Sequence, residues 1–408
     1  MEGQACAYLD QIPFWTRKKN TLDAVRDFLA EMGNPQEHLK IIHVAGTNGK
    51  GSVCADLTAI LKEAGYRVGT FISPHLEDIR ERFLFDGELV SEEVFEASFV
   101  RVKTVVDRML ERGYCHPTFF EFVFLMAMDM YGKICPDYVI METGLGGRLD
   151  TTNAILHPIA CVITSISLDH TAYLGDTIAQ IASEKSGIMK PGIPVVFDDN
   201  QPEASVVIRQ KAVEIGAEYY PVDDSGRYTE VPFAAAYQAM NAALAVRVLD
   251  VLQVPGVDET ICRNGLLKVY WPGRMEQVGD GIWLDGAHNP GGIGAFIQAV
   301  KEHGNAGNLQ LLFAAVSDKD YQGMIRMLCR ELSPERVTVA HIDSERGLDA
   351  ETLRGQFRSA GCMQVEAYGT VKEALQHALQ HKSADNRLYI VGSLYLIGEI
   401  KKLLREMR

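Results

Sequence analysis

Residues 39–73, LKIIHVAGTNGKGSVCADLTAILKEAGYRVGTFIS, constrain the fold of this chain more than any other stretch. An apolar run of Ile41, Ile42, Val44 and Ala45 breaks into Gly46-Thr47-Asn48-Gly49-Lys50-Gly51-Ser52. Val53, Leu57, Ile60, Leu61 and Ala64 then recur at helical spacing until Gly65, and a second apolar run spans 68–72. The order is strand, glycine-rich turn, helix, strand. Glycines let several backbone N–H groups face one small space, a helix N-terminus adds positive dipole, and a lysine adds a full charge, so the loop suits phosphate. The Ser52 hydroxyl is then available to the magnesium ion that accompanies phosphates. The spacing departs from G-x-x-x-x-G-K-[ST], because Gly51 separates Lys50 from Ser52. A plain helix-entry turn would also contain glycines; strand, lysine, serine and helix together favour nucleotide.

Strand-like segments recur along the chain. Asp137–Met141 ends on Glu142, and Ile159–Ile166 leads to Ser167-Leu168-Asp169-His170. Ile193–Phe197 makes a further strand, and 198–224 reads as one more α/β unit at the sheet's edge. Helices are expected over Leu22–Met32 behind an Asn20 or Thr21 cap, over Ser91–Arg112, after Thr118-Phe119-Phe120-Glu121, over Thr177–Met189 and over Ala234–Val251. The polar stretch after Pro74, with Asp78, Arg80, Glu81 and Arg82, reads as a loop. Parallel strands joined by helices open their C-terminal ends at one edge, where ligands of open α/β folds bind. Lys50, Ser52, Ser73, Glu142 and His170 each follow such a strand, so a magnesium-bearing phosphate site at that edge is expected. Glu142 as a cap or surface ion pair, and His170 as an ordinary hydrogen-bonded side chain, are the alternatives.

At Trp271-Pro272-Gly273-Arg274 an aromatic, proline and glycine break marks a joint between domains expected at 1–272 and 273–408. Beyond it the rhythm restarts, with strands at 282–284, 311–316, 337–342 and 388–391 and a polar turn at Asp285-Gly286-Ala287-His288-Asn289-Pro290. This is a smaller Rossmann-like α/β domain without a phosphate loop of its own. A net charge of −14 over 408 residues, with no basic run longer than Arg17-Lys18-Lys19, argues against a nucleic-acid partner. The eight cysteines form no C-x-x-C pair and read as reduced. No basic leader and no apolar stretch of the ~20 residues a membrane span needs is visible, so a cytoplasmic protein without membrane partners is expected.

Taken together, these segments closely resemble folylpolyglutamate synthase/dihydrofolate synthase of the Mur ligase superfamily. The resemblance is carried by GTNGKGS (46–52), SPHL (73–76), ETGLGGRLDTTN (142–153), Leu168–His170, Glu184-Lys185, Tyr237-Gln238 with Asn241, PGRME (272–276), DGAHNP (285–290) and GSLY (392–395). It implies an α/β fold with a P-loop, mainly parallel-sheet domain like the Mur ligase central domain, plus the Rossmann-like C-terminal domain. The second domain closes over ATP and binds glutamate. Nucleotide contacts fall on Thr47, Asn48, Gly49, Lys50, Gly51 and Ser52, and on Asn241, Arg274 and Asp285. Ser52, Ser73, Glu142 and His170 match magnesium positions, with two ions expected. Lys185 matches a lysine carried as a carbamate, and His288 a histidine near the transferred phosphate. Thr118, Phe120, Asp150, Thr151 and Asn153 match segments near the pterin. Ser186 and Tyr237 depart from the family's usual Ala and His.

The implied reaction phosphorylates a folate or pteroate carboxylate with ATP and lets the α-amine of glutamate attack the acyl phosphate. Phosphate is a better leaving group than oxide, and Lys50, the loop amides and magnesium stabilise the moving charge. The expected partners are ATP, L-glutamate and folate or dihydropteroate, with a monomeric protein. A P-loop switch module, or a Mur ligase acting on a cell-wall precursor, are the other readings; SPHL with GLGGRLD speaks against the second.

Overall fold

The computed structural model describes residues 3–13, 20–223, 235–304 and 308–407. Arg17-Lys18-Lys19 lie outside them. The chain divides into two compact units. One comprises 3–166, 178–223 and 240–269; the other comprises 167–177, 235–239 and 270–407. The second unit thus takes in two short segments that sequence order alone allots to the first.

The first unit is built on a sheet of eight strands among the described residues: β1 Ile41–Ala45, β2 Val68–Phe71, β3 Phe83–Phe85, β4 Glu88–Leu89, β5 Tyr138–Glu142, β6 Ala160–Ile163, β7 Val195–Asp198 and β8 Tyr219–Val222. Their order is β4-β3-β2-β5-β1-β6-β7-β8, parallel from β2 through β8. β1 and β5 are buried at every position, which is why they read as continuous apolar runs rather than alternating ones. Between strands run helices such as Lys50–Glu63 and Phe119–Ile134, the latter held by a capping box in which Thr118 and Glu121 exchange bonds. Thr21, not Asn20, caps Leu22–Glu31; Asn20 donates to Glu121 Oε2 instead.

The charged stretch after Pro74 is not a plain loop. Ile79–Arg82 forms a short 3-10 turn, and β3 and β4 pair antiparallel across Asp86 (φ 52°) and Gly87 (φ 78°). Two consecutive positive φ angles match the right-handed twist of a hairpin, and Asp-Gly tolerates them. Asp86 Oδ1 also accepts from the Val68 N–H at 2.7 Å, tying the turn to β2.

In the second unit the strands are β9 Glu276–Gly279, β10 Ile282–Asp285, β11 Leu309–Phe313, β12 Arg336–Ala340, β13 Val365–Tyr368 and β14 Arg387–Val391. Their order is β13-β12-β11-β14-β10-β9, with only β9 antiparallel. Four of these were expected; β9 and β13 are additional. The step from β11 to β12 to β13 runs one way across the sheet. Right-handed crossovers therefore put helices Tyr321–Leu332 and Ala350–Ser359 on one face, and the return to β14 puts Val371–Gln380 on the other.

One buried group works against the fold. Asp56, on the inward side of helix Lys50–Glu63, is 1% exposed, and its Oδ1 has no hydrogen-bond partner. Burial pushes its carboxyl well above the usual carboxylate range. The folded chain therefore holds a proton that the unfolded chain releases above pH ~4, so stability is lost as pH rises. Asp56→Leu is expected to raise stability at neutral pH by about 1–3 kcal/mol. Urea midpoints should show a larger gain at pH 8 than at pH 5; an equal or negative shift would refute this.

Candidate active site

The loop at the end of β1 is fixed by its neighbour β6. The Thr47 N–H donates to Ser165 O at 2.8 Å, and the Thr164 and Ser165 hydroxyls donate to Asn48 O at 2.6 and 3.2 Å. The approach leaves no room for side chains: a Cβ on Gly46 would fall 1.8 Å from Thr164 Oγ1, and one on Gly49 2.3 Å from Asn241 Oδ1. Gly49 (φ 89°) is the cap of helix Lys50–Glu63 and supplies no side-chain acceptor. The helix therefore starts with N–H groups available to an anion, in a field that favours one.

Two lysines meet at this loop. Lys50 Nζ donates to Gly46 O at 3.1 Å and to Thr47 O at 3.2 Å, while Lys185 Nζ donates to Gly46 O at 2.6 Å. Lys185 lies at the end of helix Ile178–Ser186 and is 4% exposed. Glu142, the last residue of β5 and 4% exposed, places Oε1 4.0 Å from Lys50 Nζ and accepts from the Ser73 N–H through Oε2 at 3.0 Å. Register explains the meeting, since Glu142 pairs with Val44 and both strands end beside the loop. Lys50, Ser73, Glu142, Lys185 and Asn241 thus gather around Gly46–Ser52. Buried Ser52 stands on the first turn of the same helix.

A second group forms after β5. Asp150 Oδ1 accepts from the Thr152 hydroxyl at 2.6 Å and N–H at 3.0 Å, and Oδ2 from the Leu145 N–H at 2.8 Å. Asn153 Nδ2 donates to Arg148 O and Gly187 O, and its Oδ1 accepts from Lys190 at 2.5 Å. Phe120 packs over Gly144, where a Cβ would fall 2.6 Å from its ring. Thr118 is engaged as a helix cap, and the buried Thr151 Oγ1 has no partner.

Behind Asp150 stands His43, which the strand pattern gave no reason to single out. Its Nε2 lies 2.8 Å from Thr152 Oγ1. Because that hydroxyl donates onward to Asp150, the ring nitrogen is the donor, and buried Nδ1 has no partner. Burial first, and the Lys190 charge second, push His43 down to about 3. A histidine held neutral in the fold but protonated when unfolded loses stability as pH falls below about 6.5, by about 1.4 kcal/mol per pH unit, until the folded value is reached. His43→Leu should flatten the fall in stability between pH 6 and 4 by about one proton's slope; an unchanged slope would refute the assignment.

The remaining candidates belong to the second unit. Asp285, at the end of β10, is 3% exposed and accepts from the N–H groups of Ala287 and Met275 and from the Tyr237 hydroxyl. Arg274 Nη1 donates to Gly273 O at 2.9 Å. His288 Nδ1 lies 2.8 Å from Gly286 O, so it carries the proton and leaves Nε2 as an acceptor. Burial, reinforced by the Lys319 charge, pushes His288 down to about 4, keeping it neutral near pH 7. His170 (φ 49°) places Nε2 2.9 Å from Lys319 Nζ, which also donates to Asp169 Oδ1 at 2.6 Å; Asn289 Nδ2 donates to Asp169 Oδ2 at 3.0 Å. Burial alone would raise Asp169, yet the Lys319 charge with His170 and His288 holds its carboxyl well below the usual range. Lys319 follows β11 in Ser317-Asp318-Lys319, so the strand-end rule that selected Glu142 would also have found it.

Among the described residues no group of three or more His, Cys, Asp or Glu is placed to hold a metal ion. Magnesium does not need one: it keeps several waters and binds through one or two protein oxygens plus substrate phosphates. The hard oxygens of Glu142 and Ser52 beside a phosphate loop fit that donor set.

Residues 273–394 match the Mur ligase, glutamate ligase domain family. The dihydrofolate synthase/folylpolyglutamate synthase of Bacillus subtilis is 33% identical, over 95% of this chain and 95% of that protein. A folylpolyglutamate synthase of Mycobacterium tuberculosis complexed with ADP superposes with a TM-score of 0.90 at 27% identity, covering 98% of this chain and 97% of that one. The bifunctional folylpolyglutamate synthase/dihydrofolate synthase of Yersinia pestis, complexed with AMPPNP and a Mn ion, gives 0.85 at 28% identity, covering 99% and 100%. Among the described residues no helix is long and apolar enough to cross a membrane. With its phosphate loop, its two sheets and a third of its residues shared end to end with such a relative, this chain belongs to the folylpolyglutamate synthase/dihydrofolate synthase family of Mur ligases.

Proposed function

We propose that this chain is an ATP-dependent ligase that joins L-glutamate to the carboxylate of a folate, releasing ADP and phosphate, and that it accepts dihydropteroate as well. The observation that carries this reading is the convergence of Lys50, Lys185 and Glu142 on the loop at Gly46. A folate carboxylate oxygen attacks the γ-phosphorus of ATP, the bond to the bridging oxygen of ADP breaks, and an acyl phosphate results. The glutamate nitrogen then attacks the acyl carbon, phosphate leaves, and the amine loses its proton. Lys50 and the N–H groups that open helix Lys50–Glu63 offset the charge gathering on the γ-phosphoryl oxygens. Magnesium, held by Glu142 and Ser52 with Ser73 and His170 as further ligands of a two-ion set, would supply additional positive charge there. Asn241, Arg274 and Asp285 are assigned to the nucleotide, and Phe120 with Asp150–Asn153 to the pterin. His288, neutral with a bare Nε2, suits the N–H donors of glutamate better than a phosphate oxygen.

Lys185 is assigned a carbamate: its ammonium would lose one proton to solvent, and the free amine would add carbon dioxide and lose a second, exchanging a cation for an anion. Protein prepared in 13C-bicarbonate should then show a carbamate carbon signal that is absent from Lys185→Arg. The activity itself is tested by incubating the protein with ATP, magnesium, labelled glutamate and either tetrahydrofolate or dihydropteroate. Label should enter a pterin product with one phosphate released per bond formed. Phosphate release without labelled product would overturn the reading.

A further inference from the structure

Two cysteines far from the phosphate loop in sequence meet inside the second unit. Cys329 lies on helix Tyr321–Leu332, and Cys362 lies in the turn between helix Ala350–Ser359 and β13. Both helices pack on the same face of the second sheet, and both cysteines belong to one apolar core with Leu328, Leu332, Phe357 and Val365. Their sulfurs are 2.6 Å apart and each residue is 7% exposed. Two unbonded sulfurs rest about 3.5 Å or more apart even when one thiol donates to the other, whereas a disulfide spans about 2.05 Å. The pair therefore sits well inside ordinary contact, about half an ångström from bonding distance.

The surroundings leave room for that remaining movement. Gly361 (φ 99°) precedes Cys362 with nothing within 4 Å of where its Cβ would be, and Met363 after it is 77% exposed. The Gly361 and Cys362 N–H groups donate to Arg358 O and Phe357 O at 3.1 and 3.0 Å, so the turn stays docked on its helix and rotation of the two cysteine side chains closes the gap. Neither cysteine touches the residues assigned to nucleotide, metal or pterin, so nothing in the ligase reaction uses them. The absence of a C-x-x-C spacing gives no sequence signal for this pair, which is 33 positions apart and is brought together only by the crossover topology.

We propose that Cys329 and Cys362 form a reversible disulfide, a redox-sensitive staple between two helices of the glutamate ligase domain, made by exchange with a small-molecule disulfide. One cysteine thiolate attacks the small disulfide and releases one small thiolate. The other cysteine, after losing its proton, attacks the resulting mixed disulfide and releases the second. The two protein thiols are oxidised, one small disulfide is reduced to two thiols, and no further oxidant is required.

The test uses the full chain carrying Cys135→Ser, which removes the one exposed thiol among the described residues. It is equilibrated in oxidised and reduced glutathione at graded ratios, acid-quenched, alkylated and digested with trypsin without reduction. The expected product is a cross-linked pair of the peptides 327–330 and 359–372, two mass units lighter than their sum, rising with the proportion of oxidised glutathione. Dithiothreitol should abolish it, and adding Cys362→Ser should eliminate it. The oxidised protein should unfold several degrees higher than the reduced one, because the bond restrains the unfolded chain. Cys329 and Cys362 both fully alkylated in oxidised glutathione alone, or either one linked only to glutathione or to a different cysteine, would overturn the proposal.

Discussion

Lys50→Ala is expected to lower kcat for glutamate ligation by about 10³-fold or more, equivalent to about 4 kcal/mol of transition-state stabilisation. The side chain lies close to the loop it serves: two backbone carbonyls of Gly46–Thr47 hold its Nζ, and the Glu142 carboxylate stands 4.0 Å away. In the proposed mechanism a fixed cation stands where phosphoryl charge develops and needs no reorganisation during the reaction, so its loss should fall on kcat rather than on folding. Helix Lys50–Glu63 is anchored through Val53, Leu57, Ile60 and Leu61, all fully buried, so circular dichroism should be unchanged by the substitution. Lys50→Arg should recover little, because a planar guanidinium cannot occupy the site of a compact ammonium. Activity within tenfold of wild type for the alanine variant would remove Lys50 from the phosphate site.

The second large effect is expected at Glu142. Glu142→Gln keeps an oxygen able to accept from the Ser73 N–H but removes the negative charge, so the loop geometry should survive while metal affinity does not. Turnover at fixed magnesium should fall about 10²–10³-fold, with part of the loss recovered at high magnesium. Glu142→Asp should fall between the two, since its carboxylate is one methylene short of the loop. A Gln variant whose magnesium dependence matches wild type would show that Glu142 acts only as a partner for Lys50 and Ser73.

Which side chains gather around Gly46–Ser52 is largely legible in the sequence, because a parallel sheet turns a one-dimensional rule into a spatial one. Glu142 and Ser73 follow different strands, yet the β2-β5-β1 order sets their loops side by side. What escaped the sequence was governed by other physics. β3 and β4 have three and two residues, too short for alternation to register, and only Asp86-Gly87 marked the turn. β9 and β13 are half-exposed edge strands whose polar positions hide them among loops. His43 looked like an interruption in an apolar run, because its purpose lies in Thr152, a partner 109 positions away. Thr118, singled out by resemblance to a substrate segment, also caps a helix.

The make-up of the second unit carries a practical lesson about cutting this protein apart. The family match begins at residue 273, but the counter-ion of Lys319 is Asp169, and the hydroxyl on Asp285 comes from Tyr237. Lys319 and Asp169 side chains are 7% and 8% exposed. An excised 273–408 fragment would lose the Asp169 carboxylate and the His170 ring that meet Lys319, together with the Tyr237 hydroxyl on Asp285, and should be less stable for it. Grafting this half onto another ligase by a single splice should therefore yield insoluble product, whereas a splice that carries residues 167–177 and 235–239 along with it should not.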